Sequence, residues 1–248
     1  MISLDKEPQE RDGYRYFIEK SKDLRAIDNE NWRLGFESLH RNLDIQNLAE
    51  NIFSKLNFLS QIESNDIVLD IGAGGGKLAF TLQEIYTNLG AKYIMVDLPE
   101  VLKLGKKPLL EPIFGPFPIN IDAVNSRILK EGGGVKHIIA NSILHYVKYD
   151  QLTEGFFHSI TEVLSPGGAA FVGDVPCREM KIAQSKAENR PFEDSDKNFS
   201  YAEIAEIASL CANSGSTIYT IPQPREFPMS PHRLDLIVFK NEENSSWN

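Results

Sequence analysis

Cysteine is scarce in this chain. Cys177 and Cys211 are the two present among 248 residues, and their separation fits neither a C-x-x-C pair nor a disulfide framework. A cysteine zinc site and a disulfide-stapled scaffold are therefore excluded, and a reducing cytoplasm is the expected setting. Long apolar runs are missing too. No stretch approaches the roughly 18 apolar residues of a membrane span, and the opening "MISLDKEPQERDGYRYF" lacks the apolar core of a secretory signal, so neither export nor membrane anchoring is expected. Basic charge is in deficit: 26 Lys and Arg stand against 35 Asp and Glu, a formal net charge of −9. That sign opposes counterion displacement from nucleic acid and favours a small-molecule partner. No carboxylate cluster has octahedral spacing, so no metal site is expected. There is no internal repeat, and the only biased tract is the polar tail "NEENSSWN".

What is present is the composition of a soluble globular protein, 42% hydrophobic and 25% charged. Between residues 14 and 62, Leu34, Phe36, Leu39, Leu43, Ile45, Leu48, Ile52, Phe53, Leu56 and Leu59 recur mostly at three or four positions. This spacing predicts helices, read as an N-terminal helical cap over 1–62. From Asp66 the pattern alternates. "IVLDIG", "KYIMVDL", a strand near "FPINID", "HIIANSIL", "AAFVGDV", "STIYTI" and "LDLIVF" read as strands. Helices are predicted at "KLAFTLQEIYTNL", about 100–110, about 123–131, "QLTEGFFHSITEVL" after the N-cap candidate Asp150, and "YAEIAEIASLCANSG". The stop "SPGG" and a polar segment of about 24 residues lie between them. Strands alternating with helices of this length predict an α/β domain over 63–241, with a parallel sheet covered on both faces and ligands at the carboxyl ends of the strands. The polar tail follows at 242–248.

The turn after the first of these strands, "DIVLDIGAGGGKLAF", carries Gly72, Gly74, Gly75 and Gly76, a density that lets a ligand approach the backbone. A dinucleotide G-x-G-x-x-G from Gly72 fails at Lys77; from Gly74 it meets Ala79, an allowed variant, and stays open. A phosphate-binding loop ending at Lys77 fails at Ile71 and Leu78. D-x-G-x-G-x-G, with Asp70, Gly72, Gly74 and Gly76, does match. In this the chain resembles motif I of the class I S-adenosylmethionine (SAM)-dependent methyltransferases, a likeness running over roughly residues 66–240. The resemblance implies a Rossmann-like, seven-stranded, mostly parallel sheet with an antiparallel last strand. It also implies SAM as cofactor and S-adenosylhomocysteine (SAH) as product. On this reading Gly72, Gly74 and Gly76 lie against the methionine and ribose portions, Asp70 serves the methionyl ammonium, and Leu98 and Asn141 complete the cofactor contacts. Asp97, at the tip of strand two, can accept both ribose hydroxyls. Asp122 and Ala123 of "IDAV" resemble the pair that holds the adenine; Asp122 is alternatively a helix N-cap.

"NSILHYV" and "L-S-P-G-G" resemble the family's fourth-strand loop and the turn before strand five. The resemblance gives His145 the place of a general base for methyl transfer to a hydroxyl, where an imidazole is half-ionised near working pH; a packing or cofactor-contact role is the alternative. His137 and His158 read as structural. Lys136-His137 departs from the acid that relatives often carry at that point, and Asn141-Ser-Ile-Leu is not the N-P-P-Y of base amino methylation. Acceptor contacts are expected from Tyr14, Tyr16 and Trp32 and from two segments that carry Arg178, Lys181, Lys186, Arg190, Arg225, His232 and Arg233. Of these His232 and Arg233 are the favoured anion contacts, the alternative being solvated loops with compensating acids. The expected activity is methylation of a hydroxyl on a phosphorylated or sugar-like metabolite, with surface-glycan modification as one setting. Methyl transfer to nitrogen, a nicotinamide oxidoreductase and a non-catalytic SAM-binding subunit remain alternatives, and the oligomeric state is open.

Overall fold

The computed structural model describes residues 45–103, 107–144, 147, 153–192, 195–196, 199–223 and 232–242. Its chain order is α1 (Ile45–Leu59), β1 (Ile67–Ile71), α2 (Lys77–Asn88), β2 (Lys92–Asp97), α3 (Pro99–Leu102), β3 (Ile113–Phe114) and α4 (Ile121–Glu131), followed by β4 (Val135–Asn141), α5 (Thr153–Val163) and β5 (Leu164–Pro176). Then come α6 (Arg178–Ala187), β6 (Ser195–Asp196), β7 (Phe199–Ser200), α7 (Ile204–Asn213), β8 (Ser216–Pro222) and β9 (Arg233–Lys240). Seven strands form one sheet in the order β3-β2-β1-β4-β5-β9-β8. Strands β1 to β5 run parallel to their neighbours and β9 is antiparallel to both β5 and β8, as the sequence predicts. β6 and β7 make a separate two-stranded hairpin.

The period of two along β1 explains the layering. Ile67, Leu69 and Ile71 enter one core with Val124 of α4, Phe156 and Ile160 of α5, and Ile207 and Cys211 of α7. Val68 faces the other way, into a core with Ile52 and Leu56 of α1 and Leu78, Leu82 and Tyr86 of α2. Both faces are thus covered, and β1 is buried along its whole length. Of the segment expected to form a helical cap, α1 packs directly on the sheet; residues 1–44 lie outside the described residues. The parallel order reverses direction of winding between β1 and β4, so the carboxyl ends of β1, β2 and β4 open a crevice there.

Several boundaries differ from the sequence reading. The strand predicted near "FPINID" is instead the pair Ile113–Phe114. Pro118 has no N–H for a ladder, and residues 118–120 lead into α4. The helix predicted to reach 110 ends at Leu102 with Lys103 as its cap, and 107–110 are not helical. The predicted stop "SPGG" lies inside β5, where Gly167 at φ 71 and a register shift opposite Val135–His137 keep the segment in the sheet. The polar segment after β5 holds α6, whose sole buried residue is Ser185, so no apolar stripe announced it. Asp150, the predicted N-cap of α5, is outside the described residues.

Candidate active site

The loop from β1 to α2 contains three departures from ordinary backbone. Gly72, Gly74 and Gly75 have φ of 68°, 70° and 60°, a region costly for residues with a Cβ. Gly76 does not share it: at φ −93° and ψ −174° it is extended and caps α2. The glycine the motif spacing skipped, Gly75, is therefore conformationally demanding, and the one it counted, Gly76, is not. A methyl on Gly72 would also collide with Ile143 Cγ2, so the turn and the loop after β4 lie against each other. The Gly72 N–H donates to Val96 O at 2.8 Å, tying the turn to β2.

Asp97 closes this corner. Its Oδ2 accepts the Gly74 N–H at 2.7 Å and its Oδ1 accepts the Leu98 N–H at 2.7 Å. Burial pushes its carboxyl up to about 6, against the opposing pull of those two amides. Asp70 lies one strand away and is equally buried, accepting a short hydrogen bond from the Tyr93 hydroxyl. Burial raises it to about 7; the Tyr93 bond lowers it and the charge of Asp97 raises it further. A small cleft, partly open to solvent, lies over this corner. Gly72 and Asp97 line it, with apolar walls from Leu98, Phe117, Ile143 and Val147. A polar edge beside apolar walls suits a nucleoside, a flat base on one side and ribose hydroxyls at the carboxylate.

The structure does not bring the expected adenine pair to the cleft. Asp122 and Ala123 sit on the exposed first turn of α4 and do not line the cleft. The Ala123 N–H donates to Asn120 O at 3.0 Å, and the Asp122 carbonyl accepts the Ser126 hydroxyl at 2.7 Å. Gly115, Pro116 and Phe117 line the cleft instead, and β3 ends three residues earlier than the predicted start of that strand. The signal was available: Gly115 and two prolines directly after an apolar pair mark a turn at a strand end. Asn141 is at the tip of β4, where its side chain fills the space over Gly173.

Beyond Asn141, Ser142 and Asp174 both take positive φ of 58° and bond each other, Ser142 Oγ to Asp174 Oδ2 at 2.7 Å. Asp174 sits in the irregular stretch of the β5–β9 ladder. Side chains replace the missing ladder bonds: the Asp174 N–H donates to Asp235 Oδ1 at 3.0 Å, and Arg233 Nη1 donates to both Asp174 O and Oδ2 at 2.9 Å. Lys55 of α1 pairs with Asp235 Oδ2 at 2.7 Å. Arg233 is therefore the counter-charge of a buried acid rather than the expected surface anion contact. His232 donates through Nδ1 to Gln184 Oε1 at 2.9 Å and sits edge-on to Tyr201. Burial, with Lys181 and Arg233 nearby, lowers it to about 4, which removes the charge an anion contact needs.

His137 is structural, as its position suggested. It is fully buried, its Nε2 donating to Ser60 O at 2.5 Å while Nδ1 accepts the Tyr86 hydroxyl at 2.9 Å. Burial lowers its pKa to about 4. His158 is exposed on α5, 3.9 Å from Glu162. His145, Tyr14, Tyr16, Trp32 and Arg225 lie outside the described residues. No group of His, Cys, Asp or Glu among the described residues could hold a metal ion, and no helix among them is long and apolar enough to cross a membrane.

Comparison with known proteins agrees with this architecture. DesVI from Streptomyces venezuelae superposes with a TM-score of 0.55 at 15% identity, over 82% of this chain and 94% of that one. Human N-acetylserotonin methyltransferase, in complex with SAM, gives 0.50 at 16% identity over 96% of this chain. A SAM-dependent methyltransferase from Methanosarcina mazei gives 0.48 at 16% identity, over 73% of this chain and 95% of that one. The chain spans only 61% of the human enzyme's length, and between 54% and 63% of three further structural relatives. No curated protein matches it significantly. The family described as a methyltransferase domain matches residues 44–221, which closes the dinucleotide reading that Ala79 left open. With that match over most of its length, the chain belongs to the methyltransferase-domain family, the class I SAM-dependent methyltransferase enzymes that its glycine turn resembles.

Proposed function

We propose that the protein binds SAM in the β1–β2–β4 cleft and transfers its methyl group to a hydroxyl of a small molecule. The observation that carries the cofactor assignment is the corner at Gly72, Gly74, Gly75 and Asp97, a glycine-rich turn with an acid at its edge. Each Asp97 oxygen accepts one backbone N–H and keeps acceptor capacity for a ribose hydroxyl. Leu98, Phe117, Ile143 and Val147 form the apolar slot for adenine. The backbone of Gly72 and Gly74 follows the methionine portion, with Asp70 behind it as the acid for its ammonium. When bound, the cofactor supplies a methyl group activated by its sulfonium.

The chain's own task is then to hold an acceptor oxygen in line with that methyl and to remove its proton. Alignment alone supplies roughly 7–11 kcal/mol of barrier reduction in well-oriented systems. His145, four residues past the β4 tip in sequence, is the general base of this reading, and Tyr14 and Tyr16 contribute to the acceptor side. Oxygen rather than nitrogen is favoured because a hydroxyl needs such a base as the bond forms. The acceptor is not assigned an anionic group, since Arg233 and His232 serve other partners.

Calorimetry with SAM, SAH and a dinucleotide, followed by a screen of hydroxylated metabolites for uptake of labelled methyl, tests the proposal. SAM and SAH should bind and the dinucleotide should not, with Asp97→Ala abolishing the heat. His145→Ala should lower kcat by about 10² to 10⁴ with little change in cofactor affinity. Label appearing on amines alone would replace oxygen by nitrogen. Binding without turnover by the purified chain, in the presence of the full metabolite set, would leave a partner-activating role.

A further inference from the structure

We infer that Ser142 and Asp174 are positioning residues of the cofactor site: their hydrogen bond fixes the chain leaving β4, and with it the Ile143 and Val147 walls of the cleft. This rests on the cleft being the SAM site.

Among the described residues, four other than glycine have positive φ. Asn65 and Asn189 are asparagines, a residue type that enters this region more readily than most. Ser142 and Asp174, both at φ 58°, directly follow the paired residues Asn141 and Gly173 at the ends of the parallel neighbours β4 and β5. Departures of this kind persist where their surroundings over-determine them, and they gather at functional sites. Here each supports the other. The Ser142 N–H donates to Gly173 O at 3.0 Å, and its hydroxyl donates to Asp174 Oδ2 at 2.7 Å. Asp174 is itself held on β9: its carbonyl and Oδ2 accept Arg233 Nη1, and its N–H donates to Asp235 Oδ1. The Ser142 hydroxyl carries that fixed position across to β4.

The cleft wall follows directly. Ile143 is the next residue; it lines the cleft and stands against the glycine turn, where a Cβ on Gly72 would meet its Cγ2. Ile143 O accepts the Val147 N–H at 3.2 Å, a bond of helical spacing that ties the second wall residue to the first. His145 lies between these two in the chain. Neither Ser142 nor Asp174 lines the cleft, so any effect of theirs on a ligand passes through the walls. Without the hydroxyl bond the backbone at 142 loses its side-chain support and can relax toward ordinary φ, which turns Ile143 away from its place.

The test is calorimetry with SAH as the probe on Ser142→Ala, Ser142→Gly and Asp174→Asn, with thermal denaturation of each. Ser142→Ala removes the hydroxyl and keeps the Cβ, whereas Ser142→Gly removes the hydroxyl together with the cost of positive φ. Arg233 still satisfies Asp174 Oδ2 in both, so Tm should move little. SAH affinity should nevertheless fall about 2- to 30-fold in both variants. Asp174→Asn gives up the charge but keeps an oxygen for Ser142, so its Tm should fall while its SAH affinity stays close to wild type. In an Ile143→Ala background the effect of Ser142→Ala on affinity should largely disappear. The two Ser142 variants decide the question even if Asp174→Asn does not fold. Ser142→Ala or Ser142→Gly binding SAH like wild type overturns the inference and leaves the cofactor assignment intact. So does an undiminished Ser142→Ala effect in the Ile143→Ala background, or affinity that simply follows Tm across the variants. Wild-type protein that binds neither SAM nor SAH overturns both.

Discussion

Gly72→Ala places two penalties on one position, and they can be separated. The first is backbone: φ of 68° costs a residue with a Cβ about 1–2 kcal/mol. The second is steric, since the new methyl meets Ile143 Cγ2, with Ile143 Cβ and Cδ1 3.5 Å away. Pushing that side chain from its rotamer costs about 0.5–1.5 kcal/mol. The sum, roughly 2–3 kcal/mol, corresponds to a fall in Tm of roughly 4–12 °C for a protein of this size. Ile143 also walls the cleft, so SAM affinity should fall with stability. Truncating the obstacle isolates the second penalty: in an Ile143→Ala background the glycine substitution should cost about 1 kcal/mol less, a coupling readable in a double-mutant cycle by urea denaturation. Gly76→Ala is the control. Its extended backbone carries no left-handed penalty, so a loss under about 1 kcal/mol is expected. Equal costs for Gly72→Ala in both backgrounds would refute the steric account, and a Gly76→Ala loss as large as that at Gly72 would refute the ranking of the glycines.

Other outcomes follow from the buried polar groups. Asp174→Ala strands Arg233 beside an irregular strand and should cost about 3–5 kcal/mol in urea denaturation, whereas a surface change such as Glu154→Gln should cost almost nothing. In the ligand-free protein Asp70 binds its proton more tightly folded than unfolded. Its stabilising contribution is therefore complete at low pH and is lost as pH rises through about 7; Asp70→Asn should flatten that part of the stability profile measured between pH 4 and 8. His137 works in the opposite sense. Its lowered pKa means stability present above about pH 6.5 and lost as pH falls toward 4. Tyr86→Phe, which removes the partner of its Nδ1, should cost about 1–3 kcal/mol at pH 7, measured by the same denaturation.

Much of the site was legible because it is local. A strand, its glycine turn and the acid at the next strand's tip are set by residues adjacent in the chain, so Asp70, Gly72, Gly74 and Asp97 could be named from spacing. Local conformation also decided that Gly76 is ordinary and Gly75 is not, a distinction that spacing cannot carry because both are simply glycine. The wall of Phe117 and Ile143 was not legible. Those residues meet across the carboxyl ends of different strands, and the misread strand at "FPINID" hid the turn that brings Phe117 there.

By itself the sequence determined the alternation of strands and helices and the density of glycine at the first turn, since each depends on periodicity and residue type over short windows; the antiparallel last strand was implied by the likeness to the methyltransferases. Only the tertiary structure decided which charges meet. Arg233 and Lys55 are far apart in sequence from each other and from Asp174, and they become counter-ions because β5, β9 and α1 converge at one corner of the sheet. Among the described residues Asp70 and Asp97 have neutral donors instead, the Tyr93 hydroxyl and the Gly74 and Leu98 N–H groups. Burial and pairing are properties of space rather than of sequence separation, and a buried charge takes its character from what lies within a few ångströms of it.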